Sequence, residues 1–412
     1  MSDNFILDNI DKPQSLEEAY RNSPELFEAD LKKALLVEEN SETLNVWHAR
    51  LSYLPKIAAP KISTFHLVII CSIAGFFVKI PSIFDVHDDW YYSRFAPIIT
   101  ISAIISYFII STCKKKFAWF IVLALAACIS YLLVLPDNSR SASITMALIH
   151  LPLFTLSLLA VSFMSDQWLN VDSRINFIRY LGEMGIYSVL ILLGGMILTA
   201  LTLGLFSLID LPIDRWYMEY VVVIGLVSSP VVATYLFDSV QNRQSKFAPI
   251  LSNVFSPLFL ITILAYLIAT VYQGKSPYTD RDFLITFNGL LIVILALTIF
   301  SISGKRRASA VEAPDYINIC LIGSTLIVNL VALSAILFRW AEYGVTLNRI
   351  VVSGANILIF VHLVLLLSGY IGHIKDGKGL SNLESIIARY MPIYAVWSLI
   401  VSFVLPLVFQ FE

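Results

Sequence analysis

The residues of this chain that could do chemistry are few, and nearly all of them interrupt long apolar runs. His150, Asn253, Asn329, Asn356 and His362 each fall inside such a run. A polar group in hydrocarbon is costly, so each marks either adhesion between helices or a path for a solute or proton. Histidine adds protonation to hydrogen bonding, because its unperturbed pKa is the side-chain value nearest neutrality. Prolines offer a second kind of site: the ring removes an amide donor and leaves the carbonyl one turn earlier open to an ion or solute. Ser228-Ser229-Pro230 and Ser256-Pro257 place such breaks inside apolar runs, behind small hydroxyl residues that could instead satisfy the freed carbonyls. Ser229, Pro230, Asn253, Pro257, Asn329, Asn356, His362 and His150 are therefore the candidate pathway residues, with helix adhesion and simple kinks as the alternative reading.

A second group crowds one short connection between two late runs: Arg339, Glu342, Tyr343, Gly344, Thr346 and Arg349. Gly344 suits a left-handed turn, Thr346 can cap the helix that follows, and Arg349 at its start can pair with Glu342 or meet lipid phosphates. A connector closing two helix ends and a headgroup or anion site both fit. Lys79 lies near the end of its run, where its ammonium is expected to reach up to lipid headgroups. No catalytic set is visible, because the chain has no Walker loop, GxSxG elbow, HExxH pair or GxGxxG turn after a strand. The four cysteines lie within or beside apolar runs without a CxxC pair. Neither zinc nor disulfides are expected, and nothing calls for another metal or a cofactor.

The elements that position these residues are eleven apolar runs, at 64–84, 95–113, 117–135, 142–164, 186–209, 220–237, 250–272, 284–302, 316–338, 350–370 and 393–409. Each has about the length that a hydrocarbon core of roughly 30 Å demands of a helix. A β-barrel would show short alternating segments, and these runs do not alternate. The expected fold is an all-α membrane protein, a bundle of about 11 transmembrane helices. Composition agrees, with 58% hydrophobic and 14% charged residues and a mean hydropathy of +0.77. A net charge of −2, with its basic triplets Lys114-Lys115-Lys116 and Lys305-Arg306-Arg307 beside apolar runs, gives no case for nucleic acid. Counted loop by loop, 20 Lys and Arg fall on the side of the amino terminus and seven on the other. Positive residues are retained in the cytoplasm, so the amino terminus is expected there, and the 339–349 connection on the outer face.

Residues 1–62 are polar and have no cleavable signal pattern. They are expected to form a small cytoplasmic helical cap. Ser15 and Glu18 have capping-box spacing, Pro24 suits a first helical position, and Leu26, Phe27, Leu31, Leu35 and Leu36 make an apolar stripe for packing, for the membrane surface or for a protein partner. The longer loops at 165–185 and 376–391 are each expected to hold an interfacial helix. In the second, Ser381 and Glu384 form a capping box, and Leu383, Ile386, Ile387 and Tyr390 line one face with Glu384 off it. Both loops carry an Arg-Tyr pair, Arg179-Tyr180 and Arg389-Tyr390, before the next run.

The pattern Tyr343-Gly344-x-Thr346-x-x-Arg349, together with the segment from Phe247-Ala248-Pro249 through Pro257-Leu258-Phe259-Leu260 to Leu264-Ala265-Tyr266, resembles the bacterial membrane-protein family of domain of unknown function 4153. The resemblance covers about residue 165 to the carboxyl terminus. It implies a multi-pass protein of the bacterial inner membrane and supplies no activity or catalytic residues. The leading functional expectation is a permease or transporter-like protein for a small or lipidic solute, in contact with membrane lipids. The alternative is a membrane scaffold or sensor that recruits a cytoplasmic protein through residues 1–62. A lipid-modifying enzyme ranks third, for want of a nucleophile or metal set.

Overall fold

The computed structural model describes residues 5–22, 24–38, 41–52, 62–138, 140–207, 211–239, 247–273, 281–305, 311–376 and 380–411. It is all-helical, with 90% helix and no strand among the described residues. The chain divides into two compact units, Met1–Ala59 and Pro60–Glu412.

The first unit contains α1 (Phe5–Asp8), α2 (Pro13–Asn22), α3 (Pro24–Val37) and α4 (Glu42–Ser52). Proline suits a first helical position because its missing amide donor is not needed there, and α2 and α3 both begin on one. The start at Pro13 puts Ser15 inside α2, so the expected Ser15–Glu18 capping box does not sit at a helix start. Phe27 and Leu31 of the stripe are consumed in the unit's own core, against Ile6, Leu16, Leu44 and Trp47. The rings of Phe27 and Trp47 lie 4.9 Å apart. Leu36, expected on the same face, is 88% exposed, and Ala34 takes the buried place.

The second unit continues with α5 (Thr64–Val78), α6 (Ile80–Phe84), α7 (Asp88–Ser111), α8 (Lys115–Val134), α9 (Ala142–Met164), α10 (Val171–Ser207), α11 (Asp214–Trp216), α12 (Val223–Ser239), α13 (Phe247–Gln273) and α14 (Arg281–Gly304). It closes with α15 (Ala313–Tyr343), α16 (Leu347–Asp376), α17 (Leu380–Leu399) and α18 (Leu405–Val408). π turns at Tyr217–Val222 and Ile400–Val404 join α11 to α12 and α17 to α18. Ten of the described helices, counting such joined stretches as one, are long and apolar enough to cross a membrane. The run at 64–84 differs: α5 has 15 residues and stops at Lys79, and α6 adds five before Asp85 turns left-handed.

Two further expectations change. Apart from a 3-10 turn at Ser165–Gln167, residues 165–185 hold no separate helix, because α10 runs from Val171 for 37 residues without a break. Residues 380–391 likewise form the first part of α17. Leu383 and Ile387 are buried as an apolar face should be, but Glu384 is only 1% exposed rather than solvated.

Hydrophobic packing sorts the helices into groups. One core, around Tyr107, Phe108, Tyr180 and Phe237, joins α5, α7, α9, α10 and α12. Another, around Leu291, Ile302, Leu363, Leu366 and Leu383, joins α14, α16 and α17, and α13 packs on α14 and α15 through Ile263, Phe287 and Ile336. The first turns of α10 serve both sides, with Phe177 and Tyr180 in the first core and Ile175 and Ile178 in the second. The later part of α10 leaves the bundle, and Met196, Ile197, Leu198 and Leu201 are each at least 60% exposed. Close approach of α17 to α16 requires glycine: a Cβ at Gly354 would lie 2.1 Å from the ring of Trp397.

Candidate functional site

Buried polar side chains form three rungs where α14, α15 and α16 meet. The first caps α15. Helix starts expose unbonded amides, and here Glu312 and Asp315 make a reciprocal capping box while Lys305 Nζ lies 2.7 Å from Asp315 Oδ1. Asp315 is fully buried and the Lys305 side chain only 10% exposed, so the carboxylate's charge is neutralised in place.

The next rung lies one turn further along α15. Asn318 donates through its amide nitrogen to Ser301 Oγ of α14 at 2.8 Å and to Tyr370 Oη of α16 at 3.0 Å. Its Oδ1 is buried without a hydrogen-bond partner.

The third rung holds two of the sequence candidates together. Asn329 Nδ2 donates to the backbone carbonyl of Asn356 at 3.2 Å. Asn356 Nδ2 in turn donates to Asn288 Oδ1 at 3.0 Å. Three helices are thereby linked by neutral amides, and Asn329 Oδ1 remains buried and unpartnered. Amide bonds of this kind give direction to a bundle that apolar packing alone would leave free to slide.

His362 sits apart from this rung, against α17. Its Nδ1 is 3.0 Å from Tyr394 Oη, its ring stacks on Tyr390 at 4.2 Å and 15°, and its Nε2 is buried without a partner. Tyr390 Oη donates to Leu358 O at 2.7 Å, which locks the tyrosine against α16.

The other candidates are not brought to this interior. His150 is half-buried on α9, with Nδ1 2.9 Å from Met146 O in its own helix. Asn253 is exposed on α13, and Pro257 on the same helix is half-buried. In α12 the carbonyl that Pro230 frees, Leu226 O, accepts a hydrogen bond of 3.1 Å from Ser229 Oγ. Leu226 O thus already accepts one hydrogen bond from its own helix, the arrangement that the kink reading expects.

In the 339–349 connection Gly344 has φ +74°, which a side chain would strain. Thr346 O accepts from Ile350 N at 3.0 Å as α16 begins. The expected Arg349–Glu342 pair is replaced by backbone: Arg349 Nη1 donates to the carbonyls of Tyr343 and Gly344, closing the end of α15. Glu342 is exposed and Arg339 half-buried. Lys79 also departs from expectation. It is 4% exposed, donates to Glu219 Oε1 and Glu219 O at 3.2 Å each, and lies 4.3 Å from the Tyr220 ring centre, so it joins α5 to the π turn rather than reaching headgroups.

Sequence reasoning missed the residues at the opposite ends of these helices. Arg179 of α10 donates to Ser303 O at the end of α14 and to Glu384 Oε1 of α17 at 3.3 Å. Glu183 Oε1 accepts from Phe247 N, the first residue of α13, at 2.6 Å. Asn288, Ser301, Asn318 and Tyr370 lie inside the apolar runs just as Asn329 does, and searching whole runs rather than their middles would have found them. Among the described residues no group of three or more His, Cys, Asp or Glu could hold a metal ion. The chain matches no family model, no curated protein and no solved structure.

Proposed function

We propose that this chain is a permease-type protein of the bacterial inner membrane, moving a small or lipidic solute through the interior of α14 to α17. The observation that carries this reading is Asn329 Oδ1 and His362 Nε2, both buried and unpartnered in helices long enough to cross a bilayer. Leaving such atoms unmade is expensive, and a purely structural interior would be cheaper with apolar residues. The amino terminus is assigned to the cytoplasm on its Lys and Arg excess, with α5 and α6 as an eleventh crossing. The likeness of Tyr343, Gly344, Thr346 and Arg349 to the family of domain of unknown function 4153 supports the bacterial assignment. Membrane lipids are the surrounding partners.

Cysteine accessibility tests the reading. In a cysteine-free background, cysteines replacing Thr325 and Ser353, buried beside the third rung, react with a small water-soluble thiosulfonate if solute can enter. Cysteines replacing Ile327 and Leu330, both more than half exposed on the apolar surface, do not. Silence at both interior positions rejects a permease. A cysteine at Thr346 reports the orientation, since it reacts in intact cells only if that connection faces outward.

The second reading, a scaffold acting through residues 1–62, draws on Leu36, Val37 and Val46, which the first unit leaves exposed. Deleting that segment separates the two: a permease keeps its solute flux, whereas a scaffold loses its partner and its function.

A further inference from the structure

Asn329 points to the class of solute. Its amide nitrogen faces a backbone carbonyl, which can only accept, so the atom left over is an oxygen acceptor. Asn318 lies about three turns earlier on α15 and therefore on the same face. It too has its nitrogen engaged and its oxygen unpartnered. Both side chains are at most 1% exposed.

The third rung carries no charge; the nearest on α15 is Asp315, three residues before Asn318 and already paired with Lys305. Between Asp315 and Arg339 α15 has no Asp, Glu, Lys or Arg, and neither has α14 from residue 283 to its end or α16 from residue 350 to 374. Beside Asn329 an anion would find no cation, and a cation would be stripped of water without a counter-charge. A group that is neutral and donates hydrogen bonds meets neither penalty.

We propose that the solute is uncharged and presents hydroxyl donors, a small polyol being the simplest case, and that Asn329 Oδ1 is the acceptor that selects it. This rests on the permease reading and narrows its substrate. A buried site that expects a donor discriminates strongly against molecules lacking one.

The test is stopped-flow light scattering on proteoliposomes, with glycerol as the probe and potassium and chloride efflux followed on the same vesicles. The unaltered protein speeds glycerol entry over protein-free vesicles. Asn329→Val slows it by about tenfold, the factor that one hydrogen bond is worth. Asn329→Thr, of nearly the same shape as valine but with an oxygen, keeps most of the rate. Elution of each variant as a single peak in detergent shows that it is folded, and the valine–threonine comparison cancels any shared loss of stability. Equal glycerol rates in the two variants overturn the role of Asn329. Ion efflux without glycerol entry overturns the uncharged class and leaves the permease standing; no flux of any probe overturns the polyol proposal, and the interior cysteines at Thr325 and Ser353 then decide the permease.

Discussion

Arg174 donates from Nη1 to the carbonyl of Ala388 at 2.8 Å, the carbonyl that Pro392 deprives of its amide partner. Arg94 repeats the arrangement at the end of α8, where it donates to Leu132 O at 3.2 Å, one turn before Pro136. Arginine thus supplies from a neighbouring helix the donor that proline removes, and fastens the two helices in doing so.

The Arg174 bond should be coupled to Pro392. Arg174→Met is expected to cost about 1.5 to 3 kcal/mol, the range for a hydrogen bond to a charged group. In a Pro392→Ala background the cost should shrink, because the new amide can take Ala388 O. Thermal unfolding of the four proteins in detergent gives the coupling, and strict additivity would refute it.

Gly354→Ala should destabilise by about 1 to 3 kcal/mol through overpacking against Trp397. Trp397→Leu in the same chain should recover part of the loss. A neutral Gly354→Ala would mean that α17 can back away freely.

Asp315 and Lys305 form a buried pair, so Asp315→Ala is expected to lose about 3 to 5 kcal/mol, including the capping bond to Glu312 N. Lys305→Met alone leaves the carboxylate buried and should also be severe. The double variant should be milder than the sum, and the melting temperatures of all three decide it.

In the first unit Glu17 is held below the usual carboxylate range, chiefly by the side chain of Arg50 and then by Arg21. A lowered folded pKa contributes stability above the unfolded value and loses it as pH falls through the folded one. Amides of α2 and α4 should therefore lose hydrogen-exchange protection, after correction for intrinsic rates, below about pH 4.3. Glu17→Gln should remove that pH dependence, and an unchanged profile would assign the transition to another carboxylate.

The apolar runs were legible because a helix in lipid must be apolar over most of its length, and every expected run contains a helix in the structure. Where charges interrupt a run, sequence loses the thread. Arg179 and Glu183 end the hydropathic signal before 186, yet α10 passes through them, because Glu384 and the start of α13 supply their partners. A charge cannot be read as buried until its partner is known, and these partners lie far along the chain. Lys79 was misread for the same reason, its partner Glu219 being 140 residues away. Arg349 was misread differently: its partners are backbone carbonyls, which leave no mark in the sequence.

The brevity of α5 bears on how its run can cross. Fifteen helical residues span about 22 Å, some 8 Å less than a typical hydrocarbon core, and the five residues of α6 beyond Lys79 supply about 7 Å of the difference. Phe65, Val68, Ile73 and Phe76 form an exposed apolar flank over that short distance. The crossing is therefore completed only beyond a break, and the bond from Lys79 to Glu219 pins that break to the π turn before α12.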